Sequence, residues 1–368
     1  MISAAAPSQR QTSRAVHRVA VLAATLACLG WFLIGRPANA QTNQGADSNS
    51  PVAQFYRGKQ VVVIVGTPAG GGYDFLARLM ARHLGKHIPG QPQLVVKNVP
   101  SANGLVAAND LYNRLPQDGT HIGLLIRNML LSPIINPGGV RFSIDKFNWL
   151  GSLATETAVA LAWHTAPVKT FDDLLHKELI VGGMTGVDPE TTPRVYNALI
   201  GTKFKIVNGY KGTLDIALAM ERGEVEGIGD WSWSSVNSTR PDWVREHKLN
   251  LLLQGALTKD PGLPNVPSAL DHVKNDFDRQ VMMLYLSQKD AARPVAAPPN
   301  VPADRLEALR AAFAELGKDS DFLADAEKSQ LLVNPSGGAA VQHTTAMIAS
   351  APDDVVKRLV AILTGPAQ

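Results

Sequence analysis

Val61-Val62-Val63-Ile64-Val65-Gly66-Thr67-Pro68-Ala69-Gly70-Gly71-Gly72-Tyr73-Asp74 decides the fold, because the chain changes character twice inside it. The unbroken β-branched run reads as a strand buried on both faces, and Phe75, Leu76, Leu79, Met80 and Leu84 then recur at helical spacing. Strand therefore passes through a glycine turn into helix. The first backbone N–H groups of that helix have no intrahelical acceptors and lie at the positive end of its dipole, so an anion is the natural guest. A dinucleotide fingerprint needs G-x-G-x-x-G and a Walker loop needs G-x-x-x-x-G-K-[ST]; Gly66 followed by Gly70, Gly71 and Gly72 satisfies neither. What remains is a compact nest for a small anion such as a carboxylate, built from Thr67, Pro68, Ala69, Gly70, Gly71, Gly72 and Tyr73, with Asp74 as a capping or turn-fixing side chain. The alternative is a tight strand-to-helix turn that binds nothing.

The same grammar repeats downstream. Gln93–Asn98 reads as a strand whose exit, with Ser101, Ala102 and Asn103, leads to the helical run from Leu105, and His121–Ile126 reads as a third strand ending at Arg127 and Asn128. Strand and helix alternate, which predicts a parallel sheet with the ligand beyond the carboxyl ends of its strands. A second round begins near Phe147. Strands are expected at 159–163, 179–183, 205–210 and 225–229, with a glycine-rich exit at Gly183, Met184, Thr185 and Gly186, a turn at Lys211 and Gly212, and a strand end at Asp230 and Trp231. Thr170 with Asp173 predicts a capped short helix, and Leu306, Leu309, Ala312, Phe313 and Leu316 form one apolar helical stripe near the end of the chain. The fold class expected is α/β, with two α/β lobes and a ligand cleft between them. Residues 52–146 and 255–368 are assigned to one lobe and 147–254 to the other, which requires at least two crossovers and so a hinge.

Residues 1–40 read as a secretory signal peptide: Arg10, Arg14 and Arg18 precede an apolar run to Ile34, and Ala38-Asn39-Ala40 supplies a cleavage site. Cys28 inside the apolar run leaves a lipoprotein alternative. A polar leader is expected from 41 to 51. The periplasm is the expected destination. Removing the four arginines of residues 1–40, a stretch without acids, takes the formal net charge from +3 to −1. Neither a nucleic acid nor an acidic membrane surface then has an electrostatic case. Cys28 is also the one cysteine, so the remaining chain has no disulfide or thiolate metal site.

Together these marks resemble the solute-binding proteins of tripartite tricarboxylate transporters, the Bug or TctC type. The resemblance rests on Gly70–Asp74, Asn98–Gly104, Asp118–Thr120, Gly182–Gly186, Tyr210–Gly212 followed by Gly223–Glu226, Leu263–Pro267 and Val301–Asp304. It implies a periplasmic binding protein type II-like fold that closes on an organic carboxylate, gripped largely by backbone amides and waters of these turns, and delivery to transmembrane permease subunits. Where the family has Gly-Ala-Gly-Gly this chain has Ser101-Ala102-Asn103-Gly104, and Val187-Asp188-Pro189 stands near a common Ser-Gly-His element.

Arg127 is the best candidate for a second carboxylate, against an ordinary surface arginine; Lys211 reads first as part of a turn. Trp231 and Trp233 are expected to point the same way, packing in the core or between lobes, or stacking on the guest. Catalysis has little support: there is no G-x-S-x-G elbow, and His83 and His87 do not form H-E-x-x-H. No cofactor or metal is expected, and the protein is expected to be a monomer. The alternatives to a transport receptor are a ligand-sensing receptor and an exported α/β enzyme acting on a small acid.

Overall fold

The computed structural model describes residues 49–365. The expected signal peptide with Cys28, and all but the end of the polar leader, lie outside the described residues. Eleven strands run in chain order: β1 (Gln60–Val65), β2 (Gln93–Asn98), β3 (His121–Leu124), β4 (Asn148–Ser152), β5 (Ala158–Trp163), β6 (Leu179–Gly183), β7 (Phe204–Asn208), β8 (Gly227–Ser232), β9 (Leu249–Gly255), β10 (Pro294–Ala297) and β11 (Ser336–Gly337). They form two sheets, one ordered β11-β4-β10-β3-β1-β2 and the other β7-β6-β8-β5-β9.

The β-branched run lies inside the first sheet, between β2 and β3 and parallel to both. Val61, Val63 and Val65 are fully buried against Leu76, Leu79, Met80 and Leu84 of the helix Gly72–Leu84, and the expected stripe Leu309, Ala312, Phe313 and Leu316 of the helix Ala303–Leu316 completes that core. Burial of each such side chain stabilises the fold by roughly 1.5–3 kcal/mol. Phe75 departs from the expected stripe and is 54% exposed. Thr170 caps the helix Phe171–His176, accepting from the Asp173 N–H at 3.1 Å while the Asp173 carboxylate accepts in return from the Thr170 N–H.

The sheets are mixed: β1, β2 and β3 are parallel as expected, and antiparallel strands join them. β10 enters the first sheet antiparallel between β3 and β4, and β5 runs antiparallel to both β8 and β9. A lobe boundary at 147 also fails, because β4 pairs with β10 and β11 of the first sheet. The chain leaves that sheet through residues 153–157 and returns through 256–293. The segment 281–286, which periodicity leaves open between strand and helix, belongs to the helix Asp276–Leu286. This helix and the helix Asp353–Thr364 pack on the helix Asp188–Leu199, which flanks the second sheet, so the 255–368 portion does not keep to the first sheet alone.

Register positions the site. Val65 lies beside Asn98 on one side and Leu124 on the other, so the exits of β1, β2 and β3 open at one level. Two of these exits touch. A Cβ on Gly66 would meet the Gly104 Cα at 2.6 Å, and Gly104 itself takes φ +87°.

Candidate functional site

A cavity of about 910 Å³ opens where these exits face the second sheet. From the first sheet it is lined by Thr67, Pro68 and Tyr73 after β1, by Ala102 and Asn103 after β2, and by Arg127 and Asn128 after β3. Across from them stand Met184, Gly186 and Asp188 after β6, Thr213 at the start of the helix Thr213–Glu221, and Asp230 and Trp231 in β8. Asn103 adopts φ +50°, a conformation that asparagine tolerates better than most residues. No side chain caps the helices that begin at Gly72, Asp188 and Thr213. The first and third have their opening N–H groups left to other acceptors, whereas in the helix Asp188–Leu199 Pro189 has no N–H and the Glu190 N–H already donates to the Val187 carbonyl at 2.9 Å.

Other expected residues stand back from the lining. Asp74 is buried and saturated: one carboxylate oxygen accepts from the Gly70 N–H at 2.9 Å and Arg78 Nε at 3.0 Å, and the other from Asn98 Nδ2 at 2.9 Å. The same Asn98 amide donates to the Thr67 carbonyl at 3.0 Å. Asp74 therefore ties the turn to β2, and these donors hold its carboxyl at about 2, below the usual carboxylate range. Ala69, Gly70, Gly71, Gly72, Ser101, Gly183, Thr185, Lys211 and Gly212 frame the turns without lining the cavity. Gly183 is held by packing, since a Cβ there would meet Asn208 Oδ1 at 2.4 Å. Trp231 and Trp233 do not share a side. Trp231 packs edge-on to Trp243 at 6.3 Å and borders the cleft, whereas Trp233 lines a separate hollow with Asn237 and Asn334. His83 and His87 pair with Asp325 at 3.0 Å and Asp319 at 2.8 Å.

The largest departure concerns charge. Arg127 does not wait for a ligand: its guanidinium bonds Glu156 and Asp188, both buried. Glu156 also takes Arg293 at 2.5 Å and the Ser232 hydroxyl at 2.6 Å. Lys289, with no exposure, donates to Asp230 at 2.8 Å and lies 3.7 Å from Asp188. Three cations meet three carboxylates. Burial opposes charge on Arg127, but Asp188 and Glu156 outweigh it and push its pKa up. Burial likewise opposes ionisation of Glu156 and Asp188, and the facing cations overcome it, whereas at Asp230 burial prevails and raises the carboxyl. Tyr73 fastens the arrangement to the glycine turn. Its hydroxyl donates to the Ala292 carbonyl at 3.0 Å and accepts from the Arg127 N–H at 3.1 Å, and the Arg293 guanidinium lies 4.3 Å from its ring centre. Glu156, Lys289 and Arg293 come from the two crossings between sheets. Arg293 alone of the three carries a signal in the sequence, a charge inside the small apolar stretch Ala-Ala-Arg-Pro-Val at 291–295. Two of the lining residues, Thr67 and Arg293, each hold a buried side-chain atom, Oγ1 and Nε, without a hydrogen-bond partner among the described residues.

The architecture matches solved proteins over most of the chain. A TctC solute-binding protein from Polaromonas superposes with a TM-score of 0.63 at 21% identity, covering 84% of this chain and 99% of that one. The fold is that of the TctC-type solute-binding proteins. Two further neighbours carry ligands: MatC from Rhodopseudomonas palustris, solved with bound malate, has a TM-score of 0.57 at 21% identity over 83% of this chain and 99% of its own. A second R. palustris protein, solved with adipate, has a TM-score of 0.59 at 18% identity over 83% and 98%. In sequence, a UPF0065 protein of Agrobacterium vitis is 23% identical over 247 residues, 65% of this chain and 69% of that protein. No family model matches the chain.

Proposed function

We propose that this chain is an extracytoplasmic solute-binding protein that captures a small organic carboxylate between its two sheet-bearing halves and hands it to permease subunits of a tripartite transporter. The observation that carries the reading is a cavity bordered by glycine turns and uncapped helix N-termini, two of whose lining residues, Thr67 and Arg293, each hold a buried side-chain donor without a partner among the described residues. An anion arriving there gains charge-assisted hydrogen bonds of about 1.5–3 kcal/mol each and helix-terminus contributions of about 0.3–1 kcal/mol each. The neighbours solved with malate and adipate support the ligand class. The two crossings, 153–157 and 256–293, supply the hinge about which the halves close. The site gives an enzymatic role less support: Asp74 and Asp188 are held ionised by their partners and are weak bases, and the raised carboxyl of Asp230 is tied to Lys289 and Thr192. Isothermal titration calorimetry of the purified protein against a panel of mono-, di- and tricarboxylates tests the reading. At least one micromolar binder without turnover is expected, and a panel with no binder, or turnover of one member, contradicts it.

A further inference from the structure

The cluster of charges on the cleft floor is closed on itself, and that constrains the guest. Arg127 and Arg293 are the basic residues of the lining, and both already face carboxylates, Arg127 through Asp188 and Glu156 and Arg293 through Glu156. The third cation, Lys289, is engaged by Asp230. Among the described residues a ligand therefore meets no cation in surplus. One carboxylate can still be served by the unpartnered Thr67 Oγ1 and Arg293 Nε and by turn N–H groups. A second would meet neutral lining groups, polar ones such as Asn128, Asn136 and Thr213 beside apolar ones such as Ile126, Met129 and Ile135, without a counter-charge to offset the hydration it loses.

Asp188 is the residue on which this balance turns. It is the first residue of the helix Asp188–Leu199 on the second-sheet side, and its carboxylate reaches the Arg127 guanidinium that projects from the exit of β3 on the other side of the cleft. It occupies the position toward which a ligand's own second carboxylate would be drawn. We infer that the cleft selects monocarboxylates with an apolar body over dicarboxylates, and that Asp188 sets the preference by pairing with Arg127. This inference rests on the carboxylate-binding function proposed above and narrows it.

Calorimetry on the full chain with length-matched pairs tests it: hexanoate against adipate, and benzoate against terephthalate. In the wild type the monoacid of at least one pair is expected to bind tenfold or more tightly than its diacid. Diacids that bind equally well or better overturn the preference while leaving the carboxylate reading standing; no binding by any of the four overturns the preference for these acids, and the wider carboxylate panel then decides the carboxylate reading. In Asp188→Asn the Arg127 guanidinium loses one of its two carboxylates, and the monoacid-to-diacid ratio is expected to fall at least tenfold. Far-UV circular dichroism and an unfolding transition show whether the variant is folded. A folded D188N protein with the wild-type ratio overturns the role of Asp188, and the wild-type comparison decides the preference whether or not the variant folds.

Discussion

Thr67 and Asp74 sit seven residues apart in one turn and do opposite things. The Thr67 hydroxyl is buried without a partner, whereas the Asp74 carboxylate is fully engaged inside the protein. Thr67→Val keeps the shape and removes the donor. Losing a hydrogen bond to a charged group is worth about 1.5–3 kcal/mol, so carboxylate affinity is expected to fall roughly 10- to 150-fold by calorimetry, with the unfolding midpoint nearly unchanged. An unaltered affinity would remove Thr67 from the site. Asp74 acts on stability. Its folded pKa of about 2 lies below the ordinary aspartate value near 4, so its contribution is present above about pH 4 and is lost as pH falls toward 2. Urea unfolding at pH 7, 4 and 2.5 is expected to show Asp74→Asn less stable than wild type at pH 7, with the gap reduced to about a third at pH 2.5, where a carboxyl of pKa about 2 is still mostly ionised in the folded protein. A gap undiminished at pH 2.5 would mean that packing, and not charge, is what Asp74 supplies.

Strand-turn-helix units carried most of the legible information. The run Val61–Val65 announced a central strand because a β-branched segment without polar residues has few other places to go, and the glycines after it announced a turn because no side chain fits its close approaches. The glycines are not equivalent. At Gly66 a Cβ would collide with the Gly104 backbone, whereas at Gly72 it meets nothing within 4 Å. Gly66→Ala is therefore expected to lower stability by about 1–3 kcal/mol and to weaken binding by parting two exits of the site, while Gly72→Ala stays within about 0.5 kcal/mol of wild type. Thermal unfolding of the two variants side by side checks this, and equal effects would contradict it. Less legible were β4 and β10. β10 is four residues long and reads Pro-Val-Ala-Ala, too short for an alternating pattern, and its antiparallel insertion between β3 and β4 is set by the return crossing and not by its own composition. That is why the expected boundary at 147 cut β4 from its sheet. The charged cluster escaped for a related reason: Glu156, Lys289 and Arg293 meet Arg127 and Asp188 only once both crossings are in place, and no local spacing records that meeting.

At the scale of the molecule, two sheets joined by two crossings present turns to a shared cleft, and the buried ion pairs join residues of both sides and of the crossings themselves. Such pairs contribute little net stability against apolar substitutes, but breaking one partner leaves a costly unpaired charge. Their evident effect here is to cancel the charge of the floor, so that neutral donors and open helix termini are left to bind the anion. A crystal structure of the protein with a bound monocarboxylate tests this most directly. The carboxylate is expected within hydrogen-bond distance of Thr67 Oγ1, against the turn after β1, with Arg127 still paired to Asp188. A carboxylate seated on Arg127 with Asp188 displaced, or a ligand outside the cleft, would contradict it.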